Sequence, residues 1–144
     1  MPVTKDFVTA GRATFTVECP DGDHYTYRVS LVPGNDRYPA DAYFVSTLTG
    51  PDNESSYTYM GKLDPATGLC ATTAKSRQFE DQYRFRLLNR VLARVWAADH
   101  AAYEQHGFRT HHEGKCGRCG RTLTVPASIE SGIGPECARQ MAGM

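Results

Sequence analysis

The tightest constraint on this chain is Cys116-Gly117-Arg118-Cys119-Gly120, followed by a third cysteine in Gly134-Pro135-Glu136-Cys137. Two cysteines separated by two residues, each trailed by glycine, have the form of a metal knuckle. Glycine lets the backbone curl over an ion and leaves amides free to bond sulfur. His111 and His112 stand just upstream of Cys116. Zinc takes four ligands in a tetrahedron, and three cysteines plus one histidine make such a set. The predicted ligands are Cys116, Cys119, Cys137 and, four residues before Cys116, His112. His111 is the second choice for the fourth position, with Cys70 and His106 as outsiders.

The residues between the knuckle and the third cysteine suggest how the ligands are held. Arg121-Thr122-Leu123-Thr124-Val125 reads as a short strand stopped by Pro126, and Ser128 to Ser131 as a single helical turn. Pro135 suits the first turn of a helix, so a terminal helix is predicted over Glu136 to Met141. Cys137 then lies in its first turn, where the helix dipole favours a thiolate. Knuckle, short strand and ligand at a helix start follow the order of a treble-clef-like finger. Gln140 stands where such fingers usually carry a second helix cysteine.

Upstream, the hydrophobic period is that of strands. Ala13 to Glu18, Tyr25 to Val32, Tyr43 to Leu48 and Tyr57 to Leu63 are rich in β-branched and aromatic residues. Each ends at Gly, Pro, Asn or Asp, and a fifth, shorter strand is placed at Leu69 to Thr73. Strands joined by short turns without intervening helices make an antiparallel meander. From about Ser76 the period changes to three and four, through Tyr83, Leu87, Leu88, Val91, Leu92, Val95 and Trp96. One long helix is expected from about Arg77 to His100, covering one sheet face. The predicted fold class is α+β: a domain of residues 1–106 with an antiparallel sheet under one long helix, and a zinc-binding finger of residues 107–144.

A 40% apolar and 22% charged composition is that of a soluble globular protein. No run approaches the ~20 apolar residues of a membrane helix, and the first residues lack a basic-then-apolar signal pattern. The cytoplasm is the expected compartment. Five cysteines, three of them at ligand spacing, fit a metal site in a reducing compartment better than a disulfide framework. Cys19 and Cys70 read as structural or free thiols.

The net charge of zero hides an asymmetry. Residues 1–74 carry a net of −4, residues 75–94 a net of +4, and residues 107–144 five basic against three acidic side chains. Arg86, Arg90 and Arg94 on the helix, with Lys115, Arg118 and Arg121 on the finger, are the candidate contacts to a nucleic acid or another partner. Strand alternation puts Tyr25 with Tyr27, and Tyr57 with Tyr59, on shared faces; such rings either join the core or stack on bases. The polar loop from Thr49 to Ser56 is a further recognition candidate. No phosphate-cradling Gly-rich loop, Ser-His-Asp order or paired carboxylate stands out. Zinc deaminases place a His-x-Glu before Pro-Cys-x-x-Cys, whereas here Cys-x-x-Cys comes first without proline. The expectation is therefore a non-enzymatic protein with no small-molecule substrate.

The segment His112 to Ala138 resembles a Cys-rich domain of unknown function common in small phage and prophage proteins. It carries Cys-Gly-Arg-Cys-Gly-Arg, Leu-Thr-Val-Pro and Gly-Ile-Gly-Pro-Glu-Cys-Ala. Tyr43-Phe44-Val45-Ser46 and Tyr57-Thr58-Tyr59-Met60-Gly61 are similar to the front half of many members. The resemblance implies a phage-borne protein acting in the bacterial host cytoplasm and supports His112 as the ligand that precedes the first cysteine. It brings no activity with it. Two functions are carried forward: nucleic-acid binding through the basic helix face and finger, or a protein–protein inhibitor or adaptor acting on a host defence or enzyme, that is, an anti-defence protein.

Overall fold

The computed structural model describes residues 3–52, 55–123 and 126–143. A short helix, α1 (Lys5–Val8), precedes five strands: β1 (Arg12–Glu18), β2 (His24–Val32), β3 (Ala42–Leu48), β4 (Tyr57–Leu63) and β5 (Cys70–Ala71). A tight helical turn at Arg77–Phe79 leads into α2 (Tyr83–Trp96) and α3 (Ala101–Glu104). β6 (Arg109–His112), α4 (Pro126–Ser131) and α5 (Pro135–Ala142) complete the order. The strands form one antiparallel sheet in the order β5-β4-β3-β2-β1-β6. The meander expected from the sequence accounts for β1 to β5. β6 comes from the segment expected to bind metal and joins the sheet beside β1, pairing Phe15 with His112 and Val17 with Thr110.

Because ladder partners share a face, the register sorts the side chains. Ala13, Phe15, Val17, Tyr27, Val29 and Val45 form a buried inner face, packed with Leu87, Leu88, Val91, Leu92 and Val95 of α2. Tyr25 and Tyr27 lie on this side. Tyr27 is fully buried and its hydroxyl donates to the Arg84 carbonyl at 2.7 Å, which satisfies a polar group inside the core. Tyr57 and Tyr59 lie on the other side. A bulge shifts the β3–β4 register between Val45 and Ser46, so Met60 and Gly61 both fall on the core side while Tyr57, Tyr59 and Lys62 share the outer one. Of the loop expected over Thr49 to Ser56, Asn53 and Glu54 lie outside the described residues, as do Thr124 and Val125 of the strand expected over Arg121 to Val125.

The single helix expected from Arg77 to His100 is a tight turn and then α2, which has 14 residues, and α3 begins just beyond it. Its C-terminus is closed without glycine. Ala98 takes φ 53, its N–H donates to the Val95 carbonyl, and the Asp99 N–H donates to Arg94. This is the paired closure that normally places glycine in the left-handed position. An alanine run gives no stop signal, so the break is invisible to helical periodicity.

Residues before β1 are anchored in the core. Val3, Phe7 and Val8 are buried. The Thr4 hydroxyl caps α1 by accepting from the Phe7 N–H, and the Val3 N–H donates to Thr110 of β6 at 2.9 Å. Replacing Ala98 with glycine relieves a left-handed Cβ at a position that already has the closing geometry. Ala98→Gly should raise the unfolding free energy by about 0.5–1 kcal/mol, read from urea denaturation.

Candidate metal centre

The knuckle is a small hairpin hung from the end of β6. Gly114 turns with φ 78, and the chain then pairs back on itself, with Cys116 N–H donating to Arg121 and Leu123 N–H to Gly114. The tip closes where Gly120, at φ 79, donates to the Cys116 carbonyl at 2.9 Å. That left-handed turn is the one the second knuckle glycine is needed for. Thr122 makes a single bridge to Lys115 where a short strand was expected. α5 starts with Pro135 at its first position, as expected, and brings Cys137 to the hairpin.

The Sγ atoms of Cys116, Cys119 and Cys137 lie within 4.8 Å of one another. A tetrahedral ion with Zn–S bonds of about 2.3 Å holds its sulfurs roughly 3.8 Å apart, so three thiolates at this spacing can close on one ion. Backbone amides point at the first of them: Cys116 Sγ accepts from Gly134 N–H at 3.2 Å and from Arg118 N–H at 3.4 Å. Burial by itself pushes the Cys116 thiol up, but the amides of Gly134, Cys119 and Arg118 and the Cys119 side chain outweigh it, lowering it to about 7. Burial raises Cys137, as do its bonds to the other two cysteines. The cluster thus carries preformed amide dipoles for negative sulfur, and the donor set fits a soft or borderline metal ion. The three cysteines could hold a metal ion.

His112, the expected fourth ligand, lies outside the group of ligand atoms that the three cysteines form. His112 is half-buried, with Nδ1 accepting from Gly114 N–H at 3.0 Å and Nε2 2.5 Å from the Ile129 carbonyl. A carbonyl only accepts, so Nε2 carries the proton, and both ring nitrogens are occupied in bracing α4 against the hairpin. His111 faces outward and pairs with Glu18 at 3.0 Å. Cys70 is buried on β5, its thiol pushed up to about 12 by desolvation, and His106 lines a groove against α2. Among the described residues, none of these joins the three cysteines. Gln140 lies on the cluster groove, where its side-chain oxygen accepts from the Arg118 guanidinium.

The six candidate cations fall into different places. Arg90 and Arg94 line the groove between α2 and α3, while Arg86 donates to the Asp81 carbonyl. Arg118 and Arg121 border the cysteine cluster. Lys115 lies on the outer sheet side, in a groove with Arg12, Arg28 and Glu113. The candidate cations of helix and finger therefore border separate grooves.

Phe7 is the part of this centre that the sequence reading missed. Its ring sits against His112, with centroids 5.5 Å apart, and against Gly117 and Gly132. A Cβ on Gly117 would stand 2.8 Å from Phe7 Cδ1, and one on Gly132 would overlap the same atom. Gly117 has no left-handed φ, so the first knuckle glycine makes room for a ring rather than a turn. A Phe five residues before the first strand carries no signal of a contact so distant in sequence.

Residues 109–142 match the sequence profile of a family of unknown function, DUF6011, from the start of β6 to the end of α5. No curated protein and no solved structure matches the chain. No described helix is long and apolar enough to cross a membrane. Deleting the Phe7 ring leaves a cavity between sheet and hairpin, and Phe7→Ala should cost about 3–5 kcal/mol of stability. Gly132→Ala should destabilise by at least about 1 kcal/mol, because its φ of 76 is unfavourable to a side chain and the space is filled. Thermal unfolding of both variants checks this.

Proposed function

We propose that the chain is a non-enzymatic, zinc-stapled nucleic-acid-binding protein, its metal structural and its finger of the treble-clef type. The zinc reading rests on three thiolates brought together by a knuckle and a helix start. The second hydrophobic cluster is small: Cys116, Leu123, Ile133 and Cys137, with Ala10, Ile129 and Met141 against it. So few side chains cannot offset the chain entropy of ordering the segment, and a metal ion supplies the difference. Zinc provides a closed-shell, tetrahedral crosslink there and needs no redox partner.

The observation that carries the nucleic-acid reading is the groove beside the knuckle, where Arg12, Arg28 and Lys115 gather around a single acid, Glu113. Guanidinium and ammonium groups spaced along an open groove suit successive phosphates. Metal and cations then have separate tasks. The ion holds the hairpin so that Lys115 stands next to two arginines of the sheet. The phage setting and host cytoplasm belong to the same reading, on the strength of the resemblance of the Cys-rich segment.

Protein purified without chelator should carry about one zinc per chain by elemental analysis, and Cys119→Ser should lose it. Absence of metal in the wild-type protein would overturn the zinc assignment. His112→Ala decides the fourth position: retained zinc assigns the ring to bracing α4, and lost zinc makes it a ligand. For the partner, anisotropy titrations with labelled oligonucleotides should show binding that falls steeply with salt. Arg12→Ala and Lys115→Ala should each weaken it and reduce the logarithmic salt slope by about one. If only Arg90→Ala and Arg94→Ala weaken binding, the interface lies on the helix. If no nucleic acid binds at low salt, the partner is a protein, the inhibitor or adaptor expected as the alternative.

A further inference from the structure

The outer face of the sheet carries aromatic rings that no core claims. Phe44, Tyr57 and Tyr59 project from β3 and β4 on the side opposite α2 and are half-buried. Two of the three have a cation against the ring. The Arg28 guanidinium lies 3.9 Å from the Tyr57 ring centroid, and Lys62 Nζ lies 5.7 Å from that of Phe44. Phe44 and Tyr59 meet edge-on at 5.9 Å, and both line a shallow groove with Lys75. Strand residues of this face are one-sided in charge: Arg12, Arg28, Lys62 and Arg109 against Glu18 among the described residues. Glu18 is already paired with His111.

A face built only to shed water from a one-layer sheet does best with threonine and charge, as Thr16 and Thr26 do here. Rings interleaved with cations fit a ligand that offers both flat apolar faces and negative charge. Unpaired nucleotides have both: each base has a π-face, and each linkage a phosphate. A duplex buries its base faces in its own stack and offers phosphates and groove edges but no open π-face. From Arg12 on β1 to Tyr59 on β4 is three strand spacings, roughly 14–15 Å, room for a short single strand.

Resting on the nucleic-acid reading above, we infer that the outer sheet face is a single-strand platform, on which Phe44, Tyr57 and Tyr59 stack bases. Arg12, Arg28 and Lys115 hold the adjoining phosphates. Bases sit over β3 and β4, and the backbone runs toward β1 and the metal hairpin. Tyr57 is the junction, since its ring already stacks on Arg28 and the base can continue that stack.

The test is an anisotropy titration of the zinc-loaded chain with a labelled 20-mer of deoxythymidine and with a 20-base-pair duplex of mixed sequence. Phe44→Leu and Tyr59→Leu keep apolar bulk and remove the π-face, and circular dichroism and zinc content check their folding. The expected results are single-strand binding at least tenfold tighter than duplex binding and a loss of about fivefold to a hundredfold for each leucine variant. A 5-iodouracil oligonucleotide should crosslink to the peptides bearing Phe44, Tyr57 or Tyr59, a readout independent of variant folding. Duplex binding as tight as single-strand binding, or crosslinks confined to other peptides, would overturn the platform while leaving nucleic-acid binding in place. Binding of neither oligonucleotide at low salt would overturn both.

Discussion

The structure depends on one side chain placed between two parts of the chain far apart in sequence. Phe7 fills a slot made by Gly117, Gly132 and the His112 ring, and it is 1% exposed. Close packing of an interior tolerates neither a void nor an extra methyl at such a point. The surrounding bonds follow the same line: Arg12 N–H donates to the Gly117 carbonyl at 2.6 Å, and Gly117 N–H to the Gly132 carbonyl at 2.7 Å. Hairpin, sheet edge and N-terminal helix thus share one seam.

That seam explains why the cysteine hairpin has a defined place rather than hanging free. β6 extends the sheet beyond β1, and the chain enters the knuckle two residues after its last ladder pair. His112 closes the other side by joining Gly114 to Ile129. A metal ion alone would shape the finger but not aim it. The sheet edge sets the direction, and through it Lys115 reaches the side of the sheet where Arg12 and Arg28 project.

The sheet also separates two chemistries. On its inner face, tyrosines serve the core: Tyr27 spends its hydroxyl on a helix carbonyl, and burial raises it far above the ordinary phenol range. On the outer face, rings of the same type stand beside cations. The bulge at Val45 and Ser46 decides which rings go where, because one extra residue in β4 reverses the alternation beyond it.

Much of this could be read in the sequence. Period-two runs bounded by turn residues located β1 to β4, and a period of three and four located the apolar face of α2. Cys-x-x-Cys with a proline-led third cysteine located the cluster, because these signals are local and arise from backbone geometry over a few residues. What the sequence left open was every choice between distant partners. Whether Gly117 serves a turn or a ring, and which tyrosine pair meets the helix, are each decided by contacts across tens of residues. Ala98 is the smallest case: alanine favours a helix locally, and the closing bonds of the native turn hold it left-handed nonetheless. Local propensity is worth tenths of a kcal/mol per residue, whereas burial of a ring such as Phe7 is worth several, so tertiary packing decides where the two disagree.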